Sequence, residues 1–136
     1  MDKSIYVIKN TNKLYFDYPS FKTFASKENY PIIVNHFIQT IQKILTIFPT
    51  FEIHINLFSF NTSSLAKHQE FLRIFAGYSN LFGNKLTDFY IYHTPSIMDS
   101  IFKIISTHIF YHKDSSPPNF ILYKKNESAD KLQALI

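Results

Sequence analysis

The segment Phe51–Phe58, FEIHINLF, constrains this chain more than any other. Phe51, Ile53, Ile55 and Leu57 fall on one side of an extended backbone, and Glu52, His54 and Asn56 on the other. That period of two marks a strand with one buried face. Downstream, Leu86–Tyr92 (LTDFYIY) and Asn119–Tyr123 (NFILY) are rich in aromatic and β-branched residues and read as further strands. The intervals between them carry a different period. Pro31 suits the first turn of a helix in which Ile33, Val34, Phe37, Ile41, Ile44, Leu45 and Phe48 keep helical spacing until Pro49 stops it. Asn61-Thr62-Ser63-Ser64 offers N-cap residues for a helix over Leu65–Phe82, which Gly83-Asn84 ends. Thr94-Pro95 predicts a cap and first position for a third helix reaching about Phe110, with Ser128–Ile136 as a short terminal one.

At the start, Ser4–Lys9 and Lys13–Tyr18 flank Asn10-Thr11-Asn12 and form a predicted hairpin, while Tyr18–Tyr30 is ambiguous between states. After the hairpin, strands and helices alternate. Strands separated by helices pair in parallel through right-handed crossovers. The expected class is α/β, one mainly parallel sheet with flanking helices. The 136 residues show no internal repeat and no linker, so residues 1–136 read as a single domain.

Composition removes several functions. With no Cys, disulfides, thiol catalysis and Cys-ligated zinc are excluded, and with only 2 Gly there is no glycine-rich phosphate loop. The opening MDKSIYVIKN lacks the apolar core of a signal peptide, and no apolar run approaches membrane-span length. A cytoplasmic domain is therefore expected. The net charge is +4, but Arg73 is the sole arginine and the lysines are scattered, which is poor chemistry for nucleic-acid readout. No nucleic-acid partner is expected. The abundance of Phe, Tyr, Ile, Asn and Lys matches an AT-rich coding genome, so lysine and phenylalanine counts alone carry little weight.

Among the 6 His, His108 and His112 lie four apart, a spacing that could place two metal ligands on one helix face. No third ligand accompanies them, and no metal or other cofactor is expected. Glu52 and His54 share the polar side of their strand, a pairing capable of acid–base work. No nucleophile motif accompanies that pair, so it reads as a surface feature and the chain as a non-enzyme.

The stretch from about Phe51 to Ile136 resembles the CRAL-TRIO domain, the lipid-binding domain of phosphatidylinositol-transfer and retinaldehyde-binding proteins. The matching pieces are FEIHINLFSFNTSSL, DFYIYHTPSIMDSIFKIISTHIF, NFILYKK and ADKLQALI. Tyr90-Ile91-Tyr92-His93-Thr94-Pro95 stands where that family has its strand and Asn-x-Pro, and Ile101-Phe102-Lys103-Ile104-Ile105 is similar to its gate helix. His93 replaces the family's Asn, and Thr107-His108-Ile109-Phe110-Tyr111 replaces the proline-rich end of the gate. Asn119 stands where phosphoinositide-handling members often carry Lys. The family's usual N-terminal helical domain has no counterpart here. A STAS-like α/β domain also alternates strands and helices, but Thr94-Pro95 argues against it.

The resemblance implies a module that holds a hydrophobic ligand, a lipid, between sheet and gate helix without chemical turnover. Tyr90, Tyr92, Met98, Phe102, Ile105, Phe120 and Leu122 are the expected ligand contacts. Lys103, Lys113, Lys124 and Lys125 are expected at anionic headgroups on a membrane periphery, each contributing about 1 kcal/mol near anionic lipid. The alternative is an interaction module with a collapsed cavity that binds a protein partner or a second copy of itself.

Overall fold

The computed structural model describes residues 3–78, 84–108 and 118–135, and the side chains of these apart from 76 and 104–108. The opening hairpin is β1 (Ile5–Val7) and β2 (Lys13–Asp17), paired antiparallel. Its turn is closed by Thr11, whose hydroxyl donates to the Ile8 carbonyl at 2.7 Å, and by Asn10 at φ 64°, a left-handed conformation that asparagine tolerates well. Two helices follow, α1 (Tyr18–Phe24) and α2 (Tyr30–Leu45). Then come β3 (Phe51–Asn56), α3 (Thr62–Lys67), α4 (Gln69–Ala76), β4 (Leu86–Tyr92), α5 (Met98–His108), β5 (Asn119–Leu122) and α6 (Lys125–Leu135).

The sheet runs β1-β2-β3-β4-β5, with every neighbour from β2 onward parallel. It is thus mixed, one antiparallel pair on a parallel core. Because the order is monotonic, each right-handed crossover returns its helices to the same side. The strand residues in the hydrophobic core confirm that side: Ile5, Leu14, Phe16, Phe51, Ile53, Leu86, Phe89 and Ile91. They meet Ile33, Val34, Phe37 and Ile41 of α2, Phe71 and Phe75 of α4, and Met98 and Ile101 of α5. None of the described helices is long and apolar enough to cross a membrane.

Two sequence expectations need correction, and the segment ambiguous in sequence is assigned. The segment Tyr18–Phe24 is helical: Asp17 caps it by accepting from the Ser20 amide at 3.1 Å, and a proline sits in the first turn. The helix predicted over Leu65–Phe82 is two helices within the described residues. Asn61 and Ser64 form a reciprocal capping box at the start of α3, but the backbone leaves helical geometry at His68 (φ −105°, ψ 15°). There the imidazole turns inward, with Nδ1 2.7 Å from the Tyr30 hydroxyl and its ring edge-on to Phe21 and Tyr18. Finally, Thr94 does not cap α5, which starts at Met98. Its hydroxyl donates to the Tyr123 carbonyl at 2.7 Å, tying the end of β4 to the end of β5. The cap geometry is lost because the chain spends residues 95–97 in a turn before the helix begins.

Candidate functional site

Between the sheet and the helices, the described residues enclose an apolar cavity of about 100 Å³, walled by side chains such as Phe16, Phe37, Ile53, Phe71, Phe75 and Ile101. A void near 150 Å³ takes a molecule the size of benzene, and drug-sized ligands occupy roughly 300–1,000 Å³. The described space is therefore short of what an acyl chain needs.

The expected lipid contacts do not form one wall. In β4, Phe89 and Ile91 point to the helices, so the alternation sends Tyr90 and Tyr92 to the opposite face. The parallel register pairs Phe89 with Phe120 and Ile91 with Leu122, while Tyr90 pairs with Ile121. Phe120 and Leu122 thus share the helix side, and the two tyrosines do not. Phe120 packs against Phe89 (5.5 Å between ring centroids) and edge-on against Phe102 (4.9 Å). Met98 is buried in the core, whereas Leu122 is 41% exposed. The Ile105 side chain lies outside the described residues. Lys103, Lys124 and Lys125 are exposed, and Lys113 lies outside the described residues, as does His112. Among the described residues no three His, Cys, Asp or Glu side chains gather as metal ligands would.

The opposite face carries the more organised chemistry. Cross-strand register sets Tyr6, Tyr15, His54, Tyr90 and Ile121 in one row across all five strands. A second row is Lys13, Glu52, Asp88 and Asn119, and a third holds Asp17, Asn56 and Tyr92. The Glu52–His54 pair is no surface feature, for His54 is 2% exposed. Its ring stacks on Tyr90 at 4.2 Å and 6°. A carboxylate only accepts, so Nε2–H donates to Glu52 Oε1 (2.9 Å) and Nδ1 accepts from the Tyr92 hydroxyl (2.7 Å). Both ring nitrogens are occupied. Burial pushes the His54 pKa below its ordinary value despite the opposing pull of Glu52, and burial pushes the Tyr92 phenol up. The proton stays on the phenol, and the network rivets β3 to β4.

Asp17 is equally engaged, accepting from Tyr15 (3.0 Å) and Asn56 (3.1 Å) on one oxygen and from Ser20 on the other. Asp88 accepts from Asn119 at 3.1 Å. Beyond the rows, Tyr123 stacks on Tyr90 and tilts against Tyr92, and Lys131 of α6 reaches over the Tyr123 ring, 5.6 Å from its centroid. Sequence reading takes the Glu52–His54 side of β3 as surface but assigns Tyr90 and Tyr92 of the same face to a ligand pocket. The available signal was parity: Tyr6, Tyr15, Tyr90 and Tyr92 all fall on the non-core side.

No family model matches the chain, and neither the curated proteins nor the solved structures searched contain a match.

Proposed function

We propose that the domain is a non-enzymatic interaction module, docking a lysine- or arginine-bearing segment of a partner protein on the outer face of its sheet. The observation that carries this reading is the charge and ring pattern of that face. On a chain of net charge +4, Asp17, Glu52 and Asp88 stand among tyrosine rings there. Among the described residues, none of the three forms an ion pair with a lysine or arginine. Tyrosine faces next to carboxylates attract cations, and the position of Lys131 over Tyr123 is an internal instance of that contact. Each such contact contributes about 0.5–1 kcal/mol at an exposed site, so several are needed for useful affinity. The row spacing supplies several within one extended segment.

The lipid-holding reading calls for a longer apolar void than the described residues leave. Native mass spectrometry of the purified chain separates the readings. The expected spectrum is the monomer mass with no retained lipid. A lipid retained at one per chain would support the carrier reading instead, and a stable dimer would assign the face to a second copy of this chain.

A further inference from the structure

A crevice of about 380 Å³ opens at the carboxyl ends of β3 and β4. Its walls are the loop after β3 (Leu57–Asn61), the loop after β4 (His93–Ser96) and Lys125, the first residue of α6. In sheets of parallel strands joined by helices, this end is where ligands bind, because the loops diverge there and helix amino ends converge.

Four features give the crevice a chemistry. First, none of the lining residues is acidic, while His93 and Lys125 are both basic. They are near enough that the Lys125 charge adds to burial in holding the His93 imidazole below its ordinary pKa. Lys125 thus brings its charge to a wall with no lining carboxylate, beside an imidazole that resists protonation and can offer a neutral N–H. Second, His93 Nδ1 is shielded from solvent and has no hydrogen-bond partner among the described residues. Buried polar atoms are ordinarily satisfied, and one that is not asks for an explanation. Third, the wall includes two non-glycine residues in the left-handed region, Ser59 (φ 67°) and His93 (φ 53°). That conformation is strained and persists where the surroundings enforce it, often at sites that clamp a ligand. Fourth, the loop after β3 adds two aromatic side chains to the wall, Phe58 and Phe60. The His93 ring meets Phe58 edge-on at 5.2 Å, and Phe60 lies beside it on the same loop.

We propose that this crevice binds a small organic anion, its phosphate or carboxylate group against Lys125 and His93 and its apolar body against Phe58 and Phe60. Lys22, hydrogen-bonded to Ser59 Oγ at 2.7 Å, stands behind the wall and adds to the positive field.

The test is an NMR titration of the whole chain with phenyl phosphate and, separately, benzoate, with phenol as the uncharged counterpart. Saturable shifts are expected for amides of residues 57–61 and 93–96 with at least one anion. The tighter of the two identifies the acid group. Lys125→Gln and His93→Asn should each weaken that binding about fivefold or more, while amides distant from the crevice keep their positions. Asparagine is chosen because it accepts the left-handed backbone of residue 93. The proposal is overturned if neither anion gives saturable shifts in the two loops, if phenol binds as tightly as the anions, or if both variants bind like the unaltered chain.

Discussion

Phe21→Ala should destabilise the domain by about 3–5 kcal/mol, a large share of the roughly 5–15 kcal/mol that holds a domain of this size. Phe21 is 2% exposed and sits where α1, α2, α4 and β2 converge. Its ring lies 4.9 Å from Phe71, 5.0 Å from His68 and 5.2 Å from Phe16. Those neighbours are planar rings anchored on different elements, so they cannot fold into the space a methyl group leaves. The new void would also open onto the existing cavity of about 100 Å³, which Phe21 helps to line. Phe21→Leu keeps most of the volume and should cost less than about 1.5 kcal/mol. Urea unfolding of the two variants measures both numbers, and an alanine loss near 1 kcal/mol would mean that the helices close over the gap.

Stability should fall steeply as the pH is lowered from 7.5 to 5. His54, His68 and His93 all have pKa values depressed in the folded chain, each chiefly by burial. Lys67 adds to the effect at His68 and Lys125 at His93, while Glu52 opposes it at His54. The unfolded chain takes up these protons near pH 6.5, at the ordinary histidine value, and the folded chain resists them to lower pH. In that window the unfolded state binds more protons, so stability is complete above about pH 6.5 and is lost progressively below it. His68, 3% exposed between Tyr18, Phe21 and Tyr30, has no carboxylate among the described residues to assist its protonation and should contribute much of the slope. Urea midpoints across the range measure the effect, and His68→Gln should flatten the curve. Equal midpoints at pH 5 and 7.5 would show that the folded chain protonates these rings as readily as the unfolded one.

The fold was legible where the periodicity was strong and punctuated. β3 and β4 fall within two residues of their expected bounds, and α2 lies between the proline at its first turn and Pro49 beyond its end. α1 was hidden because seven residues give too few turns to display a period, although Asp17 and Pro19 are a cap and a first-turn residue. The break at His68 carries no glycine or proline. It follows from a hydrogen bond to Tyr30, thirty-eight positions earlier, which no local pattern reveals. The site was less legible for a related reason. Alternation within β4 separates Phe89 and Ile91 from Tyr90 and Tyr92, but deciding which set shares a face with Phe120 requires the register between strands. Counting from the wrong set put tyrosines of the outer face into an interior pocket. Likewise, the burial of His54 depends on the Tyr90 ring of the neighbouring strand covering it.

Whether recognition occurs on the outer face of the sheet is tested most directly by NMR titration with a short peptide of alternating lysine and glycine, against a glutamate–glycine peptide of equal length. The lysine peptide should shift amides along β2, β3 and β4, with side-chain changes at Tyr6, Tyr90 and Tyr123, and leave α2 and α4 unmoved. Glu52→Gln combined with Asp88→Asn should weaken that binding about tenfold at low salt, the effect of losing two rim charges. The glutamate peptide should produce no saturable shifts. Shifts confined to the helices, or equal binding of both peptides, would contradict the account.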